Sequence, residues 1–123
     1  MSKKVLVVDD DAKNRKLLRM LIQNAGYETI EAENGEEAVK LAKEHLPALI
    51  LMDNRMPGMD GTAATKMLKA GPATAKIPII AITASAMQGD REKILFETGC
   101  DEYMSKPIDG KALMNMVKKY LEE

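Results

Sequence analysis

The chain has 123 residues, 46% hydrophobic and 30% charged, with a formal net charge of -1, the size and balance expected of one globular domain over 1–123. Charges of both signs are mixed along the chain, which excludes the basic footprint of a direct nucleic-acid binder. The single cysteine, Cys100, cannot form an internal disulfide, no signal-peptide layout opens the chain, and its longest apolar runs (48–52 and 77–83) fall far short of the ~20 residues a bilayer crossing needs. No membrane span is expected, and a reducing cytoplasm is the expected compartment.

Short apolar runs alternate with longer segments of helical period, the signature of parallel βαβ units, and five such pairs are present. A near-continuous apolar strand over 5–8 leads into a helix capped by Asp11. This helix carries Leu17, Leu18, Leu21, Ile22 and Ala25 at helical spacing and stops at Gly26. Strand 28–30 is short and mixed. Asn34 then caps a helix whose inner face is Ala38, Leu41 and Ala42, and Pro47 ends it. Strand 49–52, a short helix over 60–70 and strand 79–82 follow. A helix over 84–98 contains Gly89, which lowers its propensity by about 1 kcal/mol relative to Ala. Strand 102–104 precedes a last helix that begins at Asp109 and carries Leu113, Met116, Val117, Tyr120 and Leu121. The runs 5–8, 49–52 and 79–82 read as central strands covered on both faces, with 28–30 and 102–104 nearer the edges. The expected fold is α/β, a doubly wound five-stranded parallel sheet.

The polar residues fall in a pattern. Asp9-Asp10-Asp11 follows the first strand, Asp53 the third, Thr83 the fourth and Ser105-Lys106-Pro107 the fifth, so each lies at a strand's carboxyl end. In an open parallel sheet those ends share one edge, and ligands bind there where the strand order reverses. Carboxylates crowded at that edge repel one another unless a cation sits among them, and oxygen-only ligands with solvent access point to Mg²⁺ or Mn²⁺. With a metal present, Asp53 can act as a nucleophile toward phosphorus. Lys106 is suited to neutralise charge on the transferring group, and the Thr83 hydroxyl to donate a hydrogen bond to it.

Asp9-Asp10, Asp53 within the run Leu51 to Gly61, Thr83-Ala84 and Lys106-Pro107, in order and at the expected spacing, resemble the receiver domain of two-component response regulators over essentially the whole chain. The resemblance implies a flavodoxin-like (βα)5 fold with strand order 2-1-3-4-5. It implies that Asp53 is the phosphoacceptor, with Asp9, Asp10, Asp53 and the main-chain carbonyl of Arg55 around Mg²⁺. Thr83 and Lys106 would hold the phosphoryl oxygens, and Lys106-Pro107 would be a cis bond. Tyr103 would be the switch aromatic that turns inward as Thr83 moves toward the phosphate. Family members vary at the positions of Asn54, Arg55 and Ser85, so Arg55 and Ser85 are expected to set the phosphate's lifetime. The implied donor is a sensor histidine kinase or a histidine phosphotransfer protein. The implied output surface comprises the fourth helix, fifth strand and fifth helix around Tyr103, its partner protein being unread.

Plainer readings exist for single residues. Asp11 suits a helix cap, Thr83 alone a strand end, Lys106 alone a solvated charge and Tyr103 a half-buried edge aromatic. His45 reads as a surface residue at a helix end, Cys100 as a small buried residue and the ten methionines as flexible core filler. A haloacid-dehalogenase-like phosphohydrolase is disfavoured, because Asp9-Asp10-Asp11-Ala12-Lys13 departs from Asp-x-Asp-x-Thr at its final position and no cap insertion is present. A receiver-like binding module that works without phosphorylation has no support from a missing acidic, hydroxyl or lysine position. The start at Met1 and the end after the last helix favour a stand-alone switch over one piece of a hybrid kinase or multidomain regulator.

Overall fold

Apolar runs of four or five residues are too short for buried helices but long enough to cross a sheet, and their branched aliphatic side chains suit a pleated surface covered on two faces. A computed structural model of the chain describes residues 3–53, 61–83, 99–105 and 109–122. Strands β1 (Lys4–Val8), β2 (Glu28–Ala32), β3 (Leu49–Asp53), β4 (Ile79–Thr83) and β5 (Glu102–Ser105) form one sheet in the order β2-β1-β3-β4-β5, every pair parallel. The helices are α1 (Ala12–Asn24), α2 (Gly35–His45), α3 (Gly61–Ala70) and α4 (Gly110–Leu121). The expected helix over 84–98 lies outside the described residues, so α4 is the last helix of the chain.

Alternation along the strands divides the core in two. Leu6, Val8, Ile50, Met52, Ile79 and Ala81 face α2 and α3 through Ala38, Val39, Ala42, Ala64 and Leu68. Their neighbours Val5, Val7, Leu49, Leu51, Ile80 and Ile82 face α1 and α4 through Leu18, Ile22, Leu113, Val117 and Leu121. The sheet is therefore doubly wound, as expected, and each fully buried large aliphatic contributes about 1.5–3 kcal/mol of burial. No helix among the described residues is long and apolar enough to cross a membrane.

The expected caps are present. Asp11, Asn34 and Asp109 accept backbone N–H groups of Lys13, Glu37 and of Lys111 and Ala112. Glu37 also reaches back to accept the Glu33 N–H at 3.0 Å, a near relative of the capping box. Leu46, at φ 47°, closes α2 in the left-handed region just before Pro47, which cannot continue the helix.

Three expectations need correction. Strand β2 runs to Ala32 and not only to residue 30, because its backbone pairs along the full length of β1; as an edge strand it can carry Glu31, whose carboxylate reaches the arginines of α1. Leu17 lies off the buried stripe of α1 and is half exposed. The methionines are not uniformly core filler, since Met52 and Met104 are buried while Met20 and Met67 are half exposed.

At the amino end of the sheet Lys69 ties three segments together. Its ammonium donates to the Ile77 carbonyl at 2.8 Å, the Ala75 carbonyl at 3.3 Å and Asp101 Oδ2 at 2.8 Å, and the same carboxylate oxygen accepts the Ile79 N–H at 2.9 Å. Lys69→Met keeps most of the apolar stem but leaves the Asp101 charge without its cation. Urea denaturation should show a loss of about 2 kcal/mol, the scale of hydrogen bonds to charged groups.

Across the sheet, Glu102 on β5 accepts from Lys119 at 3.0 Å and from the Tyr120 hydroxyl at 3.1 Å on α4. Burial, then the bond to Glu102, pushes the Tyr120 phenol up to about 12. Its neutral form is favoured in the fold, so the stability it contributes is present below pH 10 and is lost as pH rises through about 12. Raising pH across that window should therefore destabilise wild type more than Tyr120→Phe in parallel denaturation curves.

Candidate functional site

The strand order reverses between β1 and β3, and both carry acidic residues at their carboxyl ends. After Val8 the chain stays attached to β2, since the Asp9 N–H donates to the Ala32 carbonyl at 3.1 Å. The Asp9 carboxylate accepts the Asp11 N–H at 2.9 Å, and Asp11 accepts the Lys13 N–H at 2.9 Å to begin α1. Asp11 is thus occupied as the cap, which matches its plainer reading. Asp53 is the last residue of β3, paired with Ile82 of β4.

This path brings Asp9, Asp10 and Asp53 together, with one oxygen from each lying within 4.8 Å of the others. Asp9 and Asp53 are 1% and 3% exposed, whereas Asp10 faces solvent. Two unit charges at that spacing repel by about 3–4 kcal/mol at the effective dielectric of a protein surface. An all-oxygen set, part buried and part open to water, fits a hard divalent cation that keeps some of its water, such as Mg²⁺.

The other expected site residues are placed as follows. The backbone of Thr83 ends β4 opposite Ser105, one step beyond the Ile82 that pairs with Asp53. Tyr103 is half-buried on β5, beside Ala81. Arg55, Lys106 and Pro107, together with Asn54 and Ser85, lie outside the described residues. His45 ends α2 and lines an open groove of about 400 Å³ with Lys4, Tyr27 and Glu28, at the opposite end of the sheet from the acidic cluster. Cys100 is buried, as expected.

One residue beside the cluster carried no signal in the sequence. Arg15, in the first turns of α1, donates from Nη1 to the Asp9 carbonyl at 2.8 Å. Its guanidinium is held by Glu31 at 3.6 Å and Glu33 at 3.3 Å, and Arg19 shares Glu31 at 3.2 Å. A basic residue on a polar helix face is indistinguishable from a solvated charge until β2 is seen beside α1.

The crowding of like charges predicts its own relief. With a chelator present and at low ionic strength, Asp10→Asn should be more stable than wild type by about 1 kcal/mol in urea denaturation, the modest value set by its exposure. The gain should shrink as salt is added.

Comparison with known proteins agrees with this geometry. Residues 5–118 match the family model of the response regulator receiver domain. The polar-differentiation response regulator DivK of Brucella anthropi is 48% identical over 121 residues, 98% of each chain. The receiver domain of a sensor histidine kinase from Pseudomonas aeruginosa, solved with a magnesium ion coordinated in its active-site cleft, is 32% identical and superposes with a TM-score of 0.90 over the whole of both chains. The Vibrio cholerae chemotaxis protein CheY4 is 26% identical, with a TM-score of 0.89 over 98% of this chain and 99% of that one. A parallel sheet ordered 2-1-3-4-5, an acidic cluster at its switch point and these likenesses along the whole chain lead to one conclusion: the chain belongs to the response regulator receiver domain family.

Proposed function

We propose that this receiver takes a phosphoryl group onto the Asp53 carboxylate from a phosphohistidine of a sensor kinase or phosphotransfer protein, and thereby switches a protein-binding surface. The observation that carries the reading is the convergence of Asp9, Asp10 and Asp53 within 4.8 Å at the strand ends. An Asp53 oxygen forms the new P–O bond as the P–N bond to the donor imidazole breaks, and the leaving nitrogen keeps the electron pair and takes up a proton. Asp9, Asp10, Asp53 and the Arg55 carbonyl are assigned to hold Mg²⁺, with Mn²⁺ as a substitute; the magnesium in the Pseudomonas cleft supports that assignment. Bound there, the cation would offset charge on the phosphoryl oxygens.

Thr83 and Lys106 are assigned to the phosphoryl oxygens and Tyr103 to the switch. The position of Thr83 at the end of β4, two strands from β1 and next to β5, supports a route from the acidic edge to the strand that bears Tyr103. A local charge event of this kind biases a two-state element without further chemistry. On this reading residues 1–123 act as one receiver unit in the cytoplasm, catalyse only their own phosphorylation and dephosphorylation, and signal by protein contact. The surface of the predicted fourth helix, β5 and α4 meets the downstream protein, with no direct contact to nucleic acid or membrane.

The protein incubated with acetyl phosphate and Mg²⁺ should gain one labile phosphoryl group by mass, and should not gain it with a chelator or as Asp53→Ala. An equal gain by Asp53→Ala would place the phosphate elsewhere. No gain from any donor would make a phosphorylation-independent binding module the better reading.

A further inference from the structure

We infer that Arg15 is a positioning residue for the cation site: it sets the site's affinity for Mg²⁺ by pinning the Asp9 main chain, without touching the cation. The inference rests on the metal reading above. Asp9 is held at both of its peptide groups, by the Ala32 carbonyl at 3.1 Å on its N–H and by Arg15 Nη1 at 2.8 Å on its own carbonyl. The carboxylates of Asp9 and Asp10 leave the chain on either side of that carbonyl, so its orientation decides whether they converge on Asp53. The Arg15 side chain is only 13% exposed, and its planar group donates to the Asp9 carbonyl and to Glu33 while forming an ion pair with Glu31 at 3.6 Å. A rigid fork of that kind fixes geometry better than a single point charge.

Two effects of Arg15 oppose each other. As a cation near the cluster it repels a divalent ion, and its removal would tighten binding. As an anchor of the loop it preorganises the ligands, and its removal would loosen binding. Glu31 and Glu33, at 3.6 and 3.3 Å, already neutralise most of the guanidinium field, whereas the bond from Nη1 to the Asp9 carbonyl at 2.8 Å bears directly on the peptide that joins the two carboxylates. The anchoring effect therefore dominates, and loss of an outer-shell partner of this type weakens metal binding by roughly 10- to 100-fold.

The test is calorimetric titration of Mg²⁺ into wild type, Arg15→Ala and Arg19→Ala, with urea denaturation of each in chelator. Arg19 shares Glu31 but is not bonded to the Asp9 carbonyl, so Arg19→Ala controls for a general loss of the α1–β2 ion pairs. The expected result is a dissociation constant raised at least about 10-fold in Arg15→Ala and unchanged in Arg19→Ala at comparable stability. If Arg15→Ala does not fold, Arg15→Lys, which keeps the charge and loses the fork, should weaken binding in the same direction. Binding by the Arg15 variant that is equal to wild type or tighter, or equal weakening by Arg19→Ala, overturns the inference while leaving the metal reading intact. A wild type that takes up no Mg²⁺ overturns both.

Discussion

Strands β1 and β3 lie side by side, parallel, apolar on both faces and ending at almost the same level. Apart from Lys4, which opens β1, every residue of the two strands is buried. Polar side chains are therefore confined to the strand ends, where Asp9 and Asp53 stay buried and Asp10 faces solvent. Parallel pairing puts those ends on one edge, and the reversal of strand order between β1 and β3 opens a crevice there. Asp9, Asp10 and Asp53 occupy that crevice because nowhere else along these strands is available to a carboxylate.

The two edges of the sheet resolve their charges differently. At the amino edge, Lys69 and Asp101 neutralise each other and satisfy backbone groups of the segments entering β4 and β5, so this ion pair is structural. At the carboxyl edge three carboxylates converge, and the arginine beside them is already engaged by two glutamates. Like charges gathered at one edge respond to any cation or phosphoryl group that alters their charge. The acidic edge is thus a natural place for a switch, and the ion-paired amino edge a natural place for an anchor.

Much of this was legible residue by residue. Continuous apolar runs identified the three central strands, and the mixed compositions of 28–30 and 102–104 identified the two edges. Asp11, Asn34 and Asp109 announced the helix starts, because a short polar side chain before an apolar period has few other uses. The acidic site was legible for a topological reason: residues that follow successive parallel strands must end on the same side. Features that depend on contact between elements were not legible, such as the extension of β2 to Ala32, the exposure of Leu17, and the roles of Arg15 and Lys69 as bridges.

The sequence by itself determined the alternation of strands and helices, the caps and the set of acidic residues at strand ends, because each rests on local periodicity or on position relative to a strand. Only the tertiary structure decided that one oxygen from each of Asp9, Asp10 and Asp53 falls within 4.8 Å of the others, and that the Arg15 guanidinium turns back onto the Asp9 carbonyl between two glutamates of the β2 edge. Those facts depend on how far a helix leans on a neighbouring strand, and that distance is set by the packing of Leu18 and Ile22 against the sheet. No pattern within α1 or β2 alone contains it.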